Sequence, residues 1–221
     1  MTRRIAVIAL AFLGLALFAA GSDPARASFL GPLFGDHRPP PDLTFVYHGW
    51  KVDASRTARV QKPAKTVHAI RAQIDIVEHV GLSSKALDAM RAVPITAEPG
   101  TGPDVGRYVR GRGIVLHPKG LDEKRPILLR QLLYAYQDQV LPGGFGNADV
   151  ARFRREAIAK HVWPNTAAML HSDPDYFAMT ASAYLYGAIT REPYTRADLK
   201  KTQPGAYQWL AGLFDGGKAR T

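Results

Sequence analysis

Residues 127–139 read ILLRQLLYAYQDQ. Leu129, Leu132, Leu133, Tyr136 and the following Val140 recur at spacings of three and four, the stripe of an amphipathic helix. Arg130 and Tyr134 fall one turn apart on another side, with Gln131 beside the first. The rest of the chain arranges itself around this segment. The helix containing it is predicted over 123–140, and further helices over 148–161, 174–188, 195–201 and 204–214. Ser172 with Asp175 and Thr195 with Asp198 fit the capping box, and Gly216-Gly217 closes the last helix.

Upstream the pattern changes. Residues 43–52 hold Phe45, Val46, Tyr47, Trp50 and Val52, which predicts a strand. Residues 65–80 predict a helix that Gly81 ends, and Ser83 caps a short helix through 90. Residues 93–97 form a short strand before a Pro/Gly loop over 98–106. Residues 108–109 and 114–116 are expected to be paired edge strands around Gly111 and Gly113. The fold class is therefore α+β: a small sheet drawn from 43–116, packed on a mainly helical C-terminal half. No internal repeat occurs, and 43–221 is expected to form a single domain.

The N-terminus has its own logic. Arg3 and Arg4 precede an apolar run over 5–20, and Ala25-Arg26-Ala27 supplies a small-x-small cleavage site before Ser28. Residues 1–27 are thus expected to be a cleaved signal peptide. The run is short for a membrane span, and no other long apolar stretch exists, so no transmembrane segment is expected after cleavage. The expected location is the periplasm or the extracellular space. Residues 28–42, with three consecutive prolines at 39–41, form a Pro/Gly-rich arm.

The chain has no cysteine, which excludes disulfides, thiolate catalysis and cysteine-based zinc sites. Its 29 Lys and Arg outnumber 19 Asp and Glu. Removing residues 1–27 takes away three arginines and one aspartate, leaving 26 basic and 18 acidic residues. That balance permits acidic partners and disfavours basic ones. Nucleic acid is not expected, since no recognition motif occurs and export separates the chain from it.

The placement of Arg130 and Tyr134 is that of a His-Glu-x-x-His helix. There, two histidines at i and i+4 hold Zn²⁺ and the glutamate after the first activates the bound water. Three blocks extend the likeness. Family helices of the type LLHELLHAYHDQ compare with LLRQLLYAYQDQ at 128–139; blocks of the type ALTNxxEYFAE, whose last glutamate is the third zinc ligand, compare with MLHSDPDYFAM at 169–179; and tails of the type YPFTRADLKxxDPxxYxLL compare with EPYTRADLKKTQPGAYQWL at 192–210. From about 106 to 214 the chain resembles a family of bacterial exported zincin-type metallopeptidases, related in fold to the catalytic domain of anthrax lethal factor. The resemblance implies a zincin-like fold.

It also implies a degenerate site. The two histidine positions are Arg130 and Tyr134, the catalytic glutamate position is Gln131, and the third-ligand position is Met179. A guanidinium repels Zn²⁺, a phenol and a thioether are poor ligands for it, and an amide takes no proton from water. No metal, no cofactor and no catalytic residue are expected, and Tyr134, Met179 and Tyr184 are expected to fill the vacated pocket. The expected role is a non-catalytic binding or scaffold module of the cell envelope, with an envelope protein, a peptide or an acidic ligand as partner. Arg107, Arg110, Arg112, Lys124, Arg125 and Arg130 form a basic rim that is either an anion-binding surface or a solvated face. Arg130 itself either binds an anion or pairs with Asp138 or Asp175. The alternative is an active zinc metallopeptidase whose metal has moved to His161, His171, Asp173 and Asp175. His48, His68, His79 and His117 are scattered.

The export reading is checked by intact mass of the protein recovered from the envelope or medium. The mass should correspond to a chain beginning at Ser28; a full-length mass from the cytoplasm contradicts it.

Overall fold

In the computed structural model, which describes residues 42–59, 62–100 and 105–215, the apolar run at 43–52 is a hairpin and not one strand. Strand β1 (Thr44–Tyr47) pairs antiparallel with β2 (Trp50–Asp53), Tyr47 opposite Trp50. His48 and Gly49 make the turn with φ of 48° and 84°. Two successive positive φ values match the twist of a two-residue hairpin. The sequence hides this reversal because a histidine stands where asparagine or aspartate usually announces it.

Helix α1 (Pro63–His79) begins on proline, whose missing N–H costs nothing there, and buries Ile70, Ile74 and Val77. Helix α2 (Ser84–Arg91) starts where the Ser83 Oγ accepts the Ala86 N–H at 3.3 Å. Strand β3 (Ile95–Ala97) follows, then β4 (Gly106–Val109) and β5 (Gly113–Leu116). The five strands lie in the order β1-β2-β3-β5-β4. The two inner pairings, β2 with β3 and β3 with β5, are parallel, and the two outer ones are antiparallel. This corrects the expectation of two edge strands at 108–116: β4 is an edge, whereas β5 is internal and buried along its whole length. An Ile-Val-Leu run covered on both faces has no need to alternate with polar residues.

Helix α3 (Ile127–Val140) packs against β4 and β5 on one side and α5 (Asp173–Tyr186) on the other. Its burial is wider than a stripe, taking in Leu128, Gln131, Ala135 and Gln137 as well as the predicted leucines. Val140, the last residue of the helix, is 40% exposed and leaves the stripe. The helix begins at 127 and not at 123 because Gln73 of α1 fixes its start. The Gln73 Oε1 accepts the Leu128 N–H at 3.0 Å, and its Nε2 donates to the carbonyls of Asp122 (2.7 Å) and Arg125 (2.9 Å). One buried amide thus anchors the helix start and the preceding loop.

The C-terminal half is completed by α4 (Ala148–Ala159), α6 (Arg196–Thr202) and α7 (Pro204–Asp215). Both predicted N-caps form, without the backbone half of the capping box: the Thr195 N–H goes to the Pro193 carbonyl. The Ser172 and Thr195 hydroxyls accept the N–H groups of Asp175 and Asp198 and donate to the carboxylates of the same residues, each at 2.6 Å. Arg196 reaches back to the last turn of α5, donating to the carbonyls of Tyr184 (2.6 Å) and Leu185 (3.1 Å). A cation at a helix C-terminus satisfies open carbonyls and complements the dipole. The TRADLK segment at 195–200 therefore has a structural duty. All described residues fall within one unit, Pro40–Thr221. Among them no helix is long and apolar enough to cross a membrane. Residues 1–41, with the signal segment and nearly all of the arm, and the helix stop at 216–217 lie outside the described residues.

Replacing Gln73 by leucine should lower stability by about 3 kcal/mol, since one N–H and two carbonyls lose their partner in a largely buried place. Urea unfolding of the purified domain measures this. A loss under ~1 kcal/mol would mean that the start of α3 is held by packing alone.

Candidate functional site

The edge strand β4, helix α3 and the first turns of α5 enclose a cavity of about 450 Å³. Arg130, Gln131, Tyr134 and Met179 all line it. The first three come from adjacent turns of α3 and the fourth from α5, so the contact between these helices brings the first two sequence blocks to one place. Two of the four, Gln131 and Tyr134, are engaged in hydrogen bonds of their own.

Gln131 is 4% exposed, and its Oε1 accepts the Tyr108 backbone N–H at 3.1 Å. The amide thereby consumes an N–H of the sheet's edge. Tyr134 donates its hydroxyl to the Asp175 Oδ1 at 2.6 Å. Burial, reinforced by that hydrogen bond, pushes the phenol well above its usual range near 10, while the positive charge of Arg130 acts weakly the other way. Met179 is 4% exposed and offers a thioether. A zinc ion fits this set poorly: the one phenol is held protonated against a carboxylate, the amide oxygen is taken, and a guanidinium stands beside them.

Arg130 makes neither of the two ion pairs considered for it. Asp175 is engaged by Tyr134 and Ser172. Asp138 is engaged by Arg110 and, at 2.8 Å, by the Tyr108 hydroxyl. The Arg110 hydrogen bond is the main reason why the Asp138 carboxyl is held below its usual range; burial opposes it and Tyr108 assists. The Arg130 Nε is buried without a hydrogen-bond partner.

The basic rim divides in two. Arg107 and Arg112 lean on Glu98, together with Arg56. Burial works to raise the Glu98 carboxyl, and the contacts with Arg112 and Arg56 outweigh it and hold the group below its usual range. Arg110 is paired with Asp138 and lies 5.0 Å from the centre of the Phe145 ring. These three arginines have partners. Lys124, Arg125 and Arg130 instead line a second cavity, of about 490 Å³, to which Arg191 and Ser182 also contribute. Neither Arg191 nor Ser182 stood out in the sequence. Ser182 lies three residues after Met179 on α5, so a polar residue on the Met179 face was a usable signal; Arg191 sits in the loop after α5, where no periodicity points to it.

The proposed alternative metal ligands are not brought together. His161 and His171 are exposed, Asp173 pairs with Arg154 at 3.2 Å, and Asp175 is held by Tyr134. Among the described residues no group of three His, Asp or Glu side chains is placed to hold a metal ion. Tyr184 lines neither cavity; it is fully buried, its ring meets Tyr207, and its hydroxyl donates to Asp215, so it belongs to the packing of α5 on α7. His48 and His68 face Asp75 and Glu123.

A Tyr134→Phe variant tests how the phenol is held. Its raised ionisation means that its contribution to stability is present below about pH 10 and is lost as pH rises beyond that, since the unfolded chain releases the proton first. The urea midpoint of the parent should fall more between pH 8 and pH 11 than that of the variant. Parallel declines would show that Tyr134 titrates alike in both states.

No family model matches the chain, and no curated protein matches it. Among solved structures, the chain is similar to the Pro-Pro endopeptidase of Paenibacillus alvei, at 22% identity over 67% of this chain and 90% of that chain, with a TM-score of 0.48.

Proposed function

We propose that the chain is an exported, non-catalytic, zincin-like protein that acts as a binding module of the cell envelope. One observation carries this reading: at the four positions where the resemblance expects zinc ligands and a base, no side chain offers an imidazole or a carboxylate. Gln131 is bonded to the edge strand, Tyr134 donates a hydrogen bond to Asp175, Met179 is a thioether and Arg130 is a cation. Hydrolysis on zinc needs three ligands, an open position for water and a base near it. Losing one can be compensated; here a positive charge replaces a ligand, which opposes a divalent cation by simple electrostatics.

The order of the three sequence blocks supports the fold half of the proposal, and the signal-like N-terminus supports the export half. The same substitutions leave a cleft walled by a sheet edge and two helices, concave and lined by both polar and apolar groups. Binding needs such a cleft and does not need the lost donors.

Mature protein purified without a histidine tag should contain far less than one zinc per chain, and should not cleave general peptide substrates with added Zn²⁺. The single changes Gln131→Glu and Tyr134→His should restore no turnover, because each leaves the guanidinium and the thioether in place. Stoichiometric zinc with chelator-sensitive hydrolysis would overturn the proposal.

A further inference from the structure

The second cavity has an unusual charge balance. Lys124, Arg125, Arg130 and Arg191 line it, and no carboxylate does. None of the four takes part in an ion pair among the described residues, whereas Arg107, Arg110, Arg112 and Arg154 elsewhere in the chain do. Lys124, Arg125 and Arg191 are exposed, so water moderates their mutual repulsion, and with Arg130 they give the space a positive potential that favours an anion. The nearest acidic residues in the chain are used elsewhere: Asp122 accepts the Lys124 backbone N–H at 2.9 Å, Glu123 faces His68, and Glu192 accepts the Tyr194 hydroxyl at 2.8 Å.

A second observation points the same way. Ser182 is 1% exposed and lines this cavity, yet its hydroxyl oxygen has no hydrogen-bond partner. The buried Arg130 Nε in the same lining has none either. Buried polar groups are nearly always satisfied, so two orphans on one cavity wall call for a ligand that both can meet. Pro126 and Ile127, where α3 begins, border the same space and add the positive end of a helix dipole.

The remaining wall is apolar, with Ile127, Met179 and Ile189 among its residues. We propose that this cavity is a binding site for a phosphate monoester. Its dianionic head rests on Arg130, Arg191 and Ser182, and its apolar substituent lies on Ile127, Met179 and Ile189. A dianion answers several cations better than a carboxylate does, and guanidinium forks match its oxygens. The volume of about 490 Å³ suits a small organic ligand. The ligand is either a soluble organic phosphate or the headgroup of a phosphatidate-type lipid; both present the same chemistry. The proposal rests on the reading of the chain as a binding module and gives that module a ligand class.

The test is titration of the mature protein at low ionic strength with inorganic phosphate, phenyl phosphate, phenol, and vesicles of phosphatidylcholine with and without phosphatidic acid. Phenyl phosphate should bind more tightly than inorganic phosphate, and phenol should not bind. Affinity should fall as salt rises. Arg130→Gln and Arg191→Gln should each weaken binding about tenfold or more, the scale of a lost charge-assisted hydrogen bond. Ser182→Ala should weaken it by roughly fivefold while leaving the ligand-free protein at least as stable, since it removes an unsatisfied hydroxyl. Arg191 is exposed, so its variant stays informative if the Arg130 variant folds poorly. Binding of phenyl phosphate without the phosphatidate vesicles assigns a soluble ligand, and the reverse assigns a lipid. No response to any phosphate probe, equal binding of phenol, or binding unchanged in the Arg191 and Ser182 variants would overturn the inference. Zinc measured on the same preparation separates the two proposals: zinc-free protein that ignores phosphate refutes this site alone, and zinc-loaded active protein refutes the non-catalytic reading alone.

Discussion

The arrangement depends on where helix α3 begins. A helix buried between a sheet and a second helix has little freedom to slide, because a shift of one residue turns its side chains by about 100°. Gln73 sets the start from another element, by meeting the Leu128 N–H and two carbonyls of the approach loop. From that start, Arg130 and Tyr134 face the clefts and Leu129, Leu132 and Leu133 face the core. The same amide holds the loop that carries Lys124 and Arg125. Core and site therefore share a reference point.

The polar atoms of the cleft form an economy of internal bonds. The Asp175 carboxylate accepts hydrogen bonds from two hydroxyls, that of Ser172, the N-cap of α5, and that of Tyr134. Asp138 receives Arg110 and Tyr108 across the gap between α3 and the edge strand. Gln131 closes part of the strand's open hydrogen-bonding edge. Exposed sheet edges invite pairing with other chains, and a side-chain amide laid along the edge is one way of blunting it. These bonds stiffen the wall of the cleft and remove groups that could move protons.

Much of this was legible in the sequence. Helix positions followed from 3–4 spacing, and both N-caps were visible as Ser172 with Asp175 and Thr195 with Asp198. The first two blocks predicted which residues would meet at the cleft: Arg130, Gln131, Tyr134 and Met179. What escaped was set by tertiary contacts. The His48-Gly49 reversal lacks the usual turn residues, and the internal place of β5 depends on parallel pairing with β3, which no local pattern encodes. The rim of arginines looked uniform along the chain, yet folding gave Arg107, Arg110 and Arg112 carboxylate partners and left Lys124, Arg125 and Arg130 without them. Charge pairing of this kind depends on which strand lies next to which helix.

Arg130, Met179 and Arg191 belong to the walls of both cavities. The two spaces are consequently linked in the thermodynamic sense. Negative charge placed in one lowers the positive potential that the shared guanidiniums present to the other, so two anions bound at once oppose each other, and a cationic or neutral occupant of the neighbouring space does not. By reciprocity, each occupant alters the affinity of the other by the same factor.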